Sequence, residues 1–429
     1  MDRVPLEHTS ISRLSLFAVL SGLVTGLAVA ALNWSVILVE RAVFGTDHLV
    51  SPDPTAVVSP KRLALTLIGL GCVLSWARYL MDRYSEPVSV PAAMYGKRMP
   101  LLATICSAFI QVMSVAAGAS VGRENAPRII GGLSASRLAV WSKLDHDARR
   151  LLIGATAGAG LGATFHLPLA GAIFALELLL MEMSAQAVIT VMLTSATAAA
   201  VTGVFVTPHP VYHSVPVQES AATLAVAAIV GLVAGLLGHW FGKAARLAVQ
   251  HRASGTALLW QMPLGFVLLA VVSYFVPGVS TNARFTTDTV LSGDNIALGL
   301  LLVGVLRVGA ILLSFRIGVI GGTLTPAFGL GAITGALIGI ALQPLLPGVP
   351  IGAFALLGAA AFLSTAMAAP MFGLIAAIEF TDMAAQGYLP VFVSVVAAAL
   401  AVRVWGRLRH DEQRLAPFTS ALFAGKRRR

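Results

Sequence analysis

The chain has 429 residues, 57% of them hydrophobic and only 11% charged, against about 25% charged in an ordinary soluble domain. Stretches free of Asp, Glu, Lys and Arg run 14–39, 99–122, 151–176, 253–283 and 317–378, each longer than the ~20 residues that cross a bilayer as a helix. A soluble enzyme is excluded, and so is an outer-membrane barrel, whose strands alternate over about 10 residues.

Taken in chain order, the apolar pattern predicts helices near 14–42, 61–82, 99–118, 124–140, 147–165, 168–183, 185–206, 220–250, 256–276, 291–315, 325–343, 351–367, 370–384 and 387–408. The first run is too long for a secretory signal, lacks a small-residue cleavage pattern and follows Asp2 and Glu7, so it reads as a retained span. The uncharged stretch 317–378 must hold at least two membrane elements, and its Gly and Pro content predicts broken helices. Under-length helices at membrane depth are tolerated only where protein buries them or a wet cavity takes their free backbone groups. They point to a transport pathway.

The net charge of +10 collects at the ends, with Arg3 and Arg13 near the start and Arg403, Arg407, Arg409, Arg414, Lys426, Arg427, Arg428 and Arg429 near the finish. The positive-inside rule predicts both termini on the cytoplasmic side of a multi-pass protein of the inner (plasma) membrane. The basic tail has no interleaved aromatics and no nucleic-acid motif, so it reads as an anchor on anionic lipid and nucleic acid is not an expected partner. Cys72 and Cys106 lie in apolar segments and read as small packing residues, not as a disulfide or metal pair. No phosphate loop and no metal-spaced cluster is present, which leaves no support for an ATP-driven pump, a metalloenzyme or any cofactor.

An internal repeat organises the chain. PLAGAIFALE at 168–177 and PMFGLIAAIE at 370–379 share Pro, Gly, Ile, Ala and Glu at equal offsets, and Gly122, Pro127 and Gly132 are echoed by Gly321, Pro326 and Gly331. The expected division is a first membrane repeat over 1–206, a connecting loop over 207–220, a second repeat over 221–408, and a cytoplasmic C-terminal helix with basic tail over 409–429. If the first copy makes an odd number of crossings, the second is inverted, which is the plan of many secondary transporters. The expected fold class is all-α and polytopic, with two inverted helical repeats and broken helices.

Both echoes contain a Gly-to-Pro element. In VGRENAPRIIGG a helix resumes after Gly122, Arg123, Glu124 and Asn125; in VIGGTLTPAFGLG it resumes after Thr323, Leu324 and Thr325. A helix N-terminus offers free amides and partial positive charge, so two of them aimed at one point make an anion site without a trapping cation. Glu124 admits two readings. A carboxylate there would compete with a permeating anion until protonated, which makes it gate and proton carrier at once; or it is a helix cap, or an ion-pair partner of Arg123, at the membrane surface.

These residues resemble the CLC family of chloride channels and proton-coupled chloride transporters. GRENAP is similar to the family's G-K/R-E-G-P gate motif, GGTLTP to its G-x-F-x-P motif, and PLAGAIFALE and the later AIEFTD follow in the family's order over roughly 14–424. The resemblance implies a homodimer with one anion pathway per subunit and Glu124 as the gating and proton-transfer glutamate; since no long extension follows the last membrane segment, the C-terminal cytoplasmic regulatory domains of many family members are not expected. Chloride or a similar monovalent anion and protons are the implied substrates, carried by exchange or by a passive voltage- or pH-gated channel, with fluoride/proton antiport less favoured. The departures are specific. The family's serine-bearing loop is present only as PVSVP at 87–91, so Val88 or Ser89 stands at the serine, and Phe418 stands at the tyrosine facing it. Together with Arg123, Asn125, Thr323, Leu324 and Thr325 these complete the implied anion-binding set. The second proton glutamate of exchangers is here Leu178, with Glu182 one helical turn on as its substitute. Glu177 and its echo Glu379 carry a structural expectation near the subunit interface. The dimer contact is expected on 168–206 and 370–408.

Overall fold

A computed structural model describes residues 9–44, 59–207, 209–276, 278–280, 284–293 and 297–408. Among them it places sixteen α-helices and no strand. The first eight are α1 (Ile11–Phe44), α2 (Pro60–Tyr84), α3 (Val90–Met94), α4 (Leu101–Ala116), α5 (Asn125–Trp141), α6 (His146–Phe165), α7 (Pro168–Phe174) and α8 (Ala185–Phe205). The second eight are α9 (Ala221–Gln250), α10 (Leu258–Phe275), α11 (Arg284–Leu291), α12 (Ala297–Arg316), α13 (Leu324–Leu342), α14 (Ile351–Ala366), α15 (Pro370–Thr381) and α16 (Tyr388–Leu408). Eight helices of the described residues are long and apolar enough to cross a bilayer, and α4, α7, α14 and α15 are shorter apolar pieces.

The two sets of eight pack alike. α1 lies on α8 as α9 lies on α16, and α5 crosses α6 as α13 crosses α14. The halves meet through like elements, α2 on α10 and α7 on α15. Ser75 in α2 donates to the Leu258 carbonyl of α10 at 2.9 Å.

The core of each half is a helix buried on all sides. In α6 every residue from Leu151 to Phe165 is buried, and in α14 every residue is. Their sequences, GATAGAGLGAT and IGAFALLGAAAF, are rich in small residues that let backbones touch where lipid supplies no hydrophobic drive. A Cβ on Gly160 would stand 2.3 Å from the Pro127 carbonyl of α5, and one on Gly335 of α13 would stand 2.0 Å from the Phe354 carbonyl of α14. These contacts hold the first turn of α5 and the body of α13 against the core, which sets where their N-terminal ends point.

Three elements depart from the sequence reading. The helix expected over 168–183 is α7 followed by a π turn, Ala175–Leu180, which stops where Met181 takes φ 51° and the Glu182 amide returns to the Leu176 carbonyl. The five-residue α3 and the polar eight-residue α11 were too short to leave a periodic signal. Asp288 lies within α11 and accepts from the His213 amide at 2.6 Å, tying the inter-repeat segment down. Cys72 and Cys106 are free and exposed on the outer face, not packed inside. Arg307 is fully buried and donates to the Gly278 carbonyl at 2.8 Å, while Arg316 is exposed. Phe418 and the expected helix over 409–429 lie outside the described residues.

Candidate anion site between two helix ends

The two Gly-to-Pro elements meet. The Gly122 amide donates to the Gly322 carbonyl at 2.9 Å and the Gly322 amide to the Gly122 carbonyl at 2.8 Å, a two-residue antiparallel bridge between the halves. The reciprocal bonds bring the beginning of α5 beside the beginning of α13. A Cβ on Gly122 or on Gly322 would lie 2.0 Å from a Glu124 carboxylate oxygen, so only glycine leaves room on either side of that group.

Glu124 stands at the N-cap of α5 yet makes no side-chain cap to it. Its Oε1 instead accepts from the Leu324 amide of α13 at 2.6 Å. Thr323, at the N-cap of α13, makes no side-chain cap either, so the first amides of that helix are left to the incoming carboxylate. Glu124 is 4% exposed. Its Oε2 and the Thr325 hydroxyl, both buried, have no hydrogen-bond partner. Burying such oxygens costs about 1–3 kcal/mol or more each, a cost that the positive charges of the nearby buried Arg128 and Arg123 reduce in part. A carboxylate is itself an anion, so its seat on α13 marks a place that accepts negative charge.

The remaining sequence candidates fall in different places. Arg123 is buried with its guanidinium over the Phe165 ring, 5.1 Å from the centroid. Asn125 turns its side chain away, donating to Gln111 Oε1 of α4 at 2.6 Å and accepting from Arg128. Ser89 Oγ accepts from the Ala92 amide at 3.3 Å, capping α3, and Val88 packs half-buried against the core. Neither hydrogen-bonds Glu124 or the 323–325 segment. Glu182 accepts from Arg150 at 3.1 Å and from the Ser184 hydroxyl at 2.6 Å, an ion pair at the end of the π turn. Leu178 is buried at 2% exposure.

Sequence reasoning passed over Gln111 and Arg128. Both are polar residues inside apolar helices, a signal that marks function or a buried network at membrane depth. In the structure Ser107, Gln111, Asn125 and Arg128 form one chain of hydrogen bonds behind Glu124.

The glutamates of the longer echo make a second paired device. Glu177 accepts from the Met371 and Phe372 amides at 3.2 and 2.7 Å, and Glu379 from the Leu169 and Ala170 amides at 3.0 and 2.6 Å. Each carboxylate caps the opposite half's short helix, a favourable match of negative charge with helix N-terminus.

This arrangement defines a polytopic helical protein with an anion-accepting junction between the N-terminal ends of two helices, one from each half, and comparison gives it a family. The voltage gated chloride channel family matches residues 68–403, and the chain belongs to it. The voltage-gated ClC-type chloride channel ClcB of Escherichia coli O81 (strain ED1a) is 25% identical over 343 residues, 77% of this chain and 81% of that one. A putative ClcB-like chloride channel protein of Ralstonia nicotianae is 27% identical over 371 residues, 79% of this chain and 82% of that one. Among solved structures, a slow cyanobacterial Cl⁻/H⁺ antiporter superposes with TM-score 0.80 at 21% identity over 96% of this chain and 97% of its own. A CLC-type fluoride/proton antiporter superposes with TM-score 0.69 at 21% identity over 93% and 96%. The protein is a membrane anion transporter of the CLC family and not an enzyme.

Proposed function

We propose that the protein exchanges a small monovalent anion, chloride before others, for protons, with Glu124 as both gate and proton carrier. One observation carries this: a buried carboxylate occupies the amide end of α13 with one oxygen hydrogen-bonded and the other unpartnered. A permeating anion would compete for the same amides, and a protonated Glu124 would not. The Leu324 amide, the Thr325 hydroxyl and the Thr323 turn are the groups this assigns to the anion, with Val88 or Ser89 and Phe418 at the positions of the family's two inner hydroxyls, which Val88 and Phe418 do not supply, and Arg123 and the Asn125 amide beside the gate. Glu182 is the candidate for the inner proton path. The repeats 1–206 and 221–408 would be related by inversion about the 207–220 segment, in a homodimer of the inner membrane with both termini cytoplasmic.

A passive channel is the second reading. It is favoured by the apolar, buried Leu178 and by the engagement of Glu182 with Arg150. Flux from proteoliposomes loaded with chloride, nitrate or fluoride, with external pH recorded, separates the two. Glu124→Gln should keep or raise anion flux and abolish coupled proton movement, because an amide neither competes as an anion nor carries a proton. Anion flux without proton movement in the unaltered protein would establish the channel, a fluoride-only flux would replace the anion, and a Gln variant with full coupling would remove Glu124 from its role.

A further inference from the structure

Behind the gate a guanidinium is fixed by a chain of side chains that permits one orientation only. Arg128 lies on α5 one turn past Glu124, a spacing that puts both side chains on one face of the helix. It is buried, its guanidinium stands over the Phe174 ring of α7 at 5.6 Å from the centroid, and it donates to Asn125 Oδ1. Asn125 therefore turns its amide nitrogen to Gln111 Oε1 of α4 at 2.6 Å, and Gln111 turns its own to the Ser107 hydroxyl at 3.2 Å. A flip of either amide would set donor against donor. A cation at membrane depth is costly and marks function.

The second half supplies an internal control. Gly118 and Gly318, at φ 105° and 98°, stand at like places past the ends of α4 and α12 and set Gln111 opposite Ile311. Pro127 and Pro326 set Asn125 opposite Leu324 and Arg128 opposite Ala327. The second half builds the same helix start with apolar residues at all three places, so packing does not require the amides or the cation.

Among the described residues the charges that act on Glu124 are those of Arg128 and Arg123. α3, α4, α7 and α13 carry no charged residue, and those of α1 and α6 lie near the helix ends. With Glu124 ionised on α13 the junction holds two cations and one anion. With Glu124 protonated and a permeating anion on the same amides it again holds two cations and one anion. A protonated gate beside an empty seat would leave both cations uncompensated, which burial penalises, so proton uptake and anion entry are tied together. We propose that Arg128, held by Asn125 and Gln111, is a fixed counter-charge used in turn by the Glu124 carboxylate and by the permeating anion, and that it sets the pH at which the gate opens. This rests on the gate reading of Glu124.

Chloride flux from proteoliposomes of the full chain, followed as a function of pH, tests this. Loss of a positive charge one helical turn away lets a carboxylate take a proton more readily, so Arg128→Met should move the flux curve upward by about one pH unit, the order expected for unit charges at that spacing. In the Glu124→Gln background, where no gate titrates, Arg128→Met should leave the pH curve unmoved and raise the chloride concentration for half-maximal flux about tenfold. Arg128→Lys should restore most of both properties. Gln111→Leu, which frees Asn125 to turn, should move the curve in the same direction as Arg128→Met, and it decides the matter if Arg128→Met does not fold. Arg137→Met, an exposed basic position further along α5, should change neither property. A folded Arg128→Met or Gln111→Leu protein with an unmoved curve, or an equal shift in Arg137→Met, would overturn the proposal. Lower stability with both readouts unchanged would also overturn it and leave Arg128 a packing residue. If Glu124→Gln itself keeps pH-dependent, proton-coupled flux, the gate reading falls and the proposal with it; if Glu124→Gln behaves as expected beside an unmoved Arg128→Met curve, the proposal falls alone.

Discussion

Glu124 illustrates how a residue's meaning depends on what lies across from it. Sequence order makes it the natural cap of α5, and the structure sends its carboxylate to α13 instead. Gly322→Ala tests that seat: the added Cβ would stand 2.0 Å from the carboxylate, so the gate should be expelled and anion flux raised toward that of Glu124→Gln. A Gly322→Ala protein with normal expression and unchanged gated flux would show that the carboxylate works elsewhere. Glu177 and Glu379 hold equivalent pairs of amides. Hydrogen bonds to a charged group contribute about 1.5–3 kcal/mol, so Glu177→Gln and Glu379→Gln should lower stability in detergent by similar amounts. A large loss in one and none in the other would contradict the reciprocal arrangement. The paired Pro, Gly and Glu were legible from the 168–177 and 370–379 echo alone. That each glutamate caps the other's helix was not, because 202 residues of chain separate the echoes.

At the scale of elements, long apolar helices were readable because lipid demands them, and their observed limits stay close to those expected from the apolar pattern. α3 and α11 were hidden because five and eight residues are too few to set a periodic signal apart from the sequence around them. The small-residue faces of α6 and α14 allow a test of packing against mere apolarity. Gly335→Val would drive methyls into the Phe354 backbone, and overpacking of this kind costs about 1–3 kcal/mol. Gly348, where an added Cβ meets nothing within 4 Å, is the control. Equal thermal stability of Gly335→Val and Gly348→Val in one detergent would mean that α13 and α14 are not in close contact.

At the scale of the molecule, Met192 on α8 is 54% exposed, as Leu65 on α2 is at 72%. The proposed homodimer distinguishes them. With Cys72 and Cys106 replaced by Ser, Met192→Cys should crosslink between subunits at low protein-to-lipid ratio while Leu65→Cys does not; equal yields would remove α8 from the contact. The sequence by itself determined the environment, the helix count to within two short elements, the duplication and the two elements that meet at the junction. Each of these is written in local composition or in chain spacing, because a bilayer penalises every unsatisfied polar group wherever it sits. Only the tertiary structure decided which glycine pairs with which, that Glu124 seats on the other half's helix, and that Gln111, Asn125 and Arg128 are joined behind it. Those contacts link residues that are distant in sequence or turned by side-chain direction, and no periodicity along one helix records what a facing helix brings.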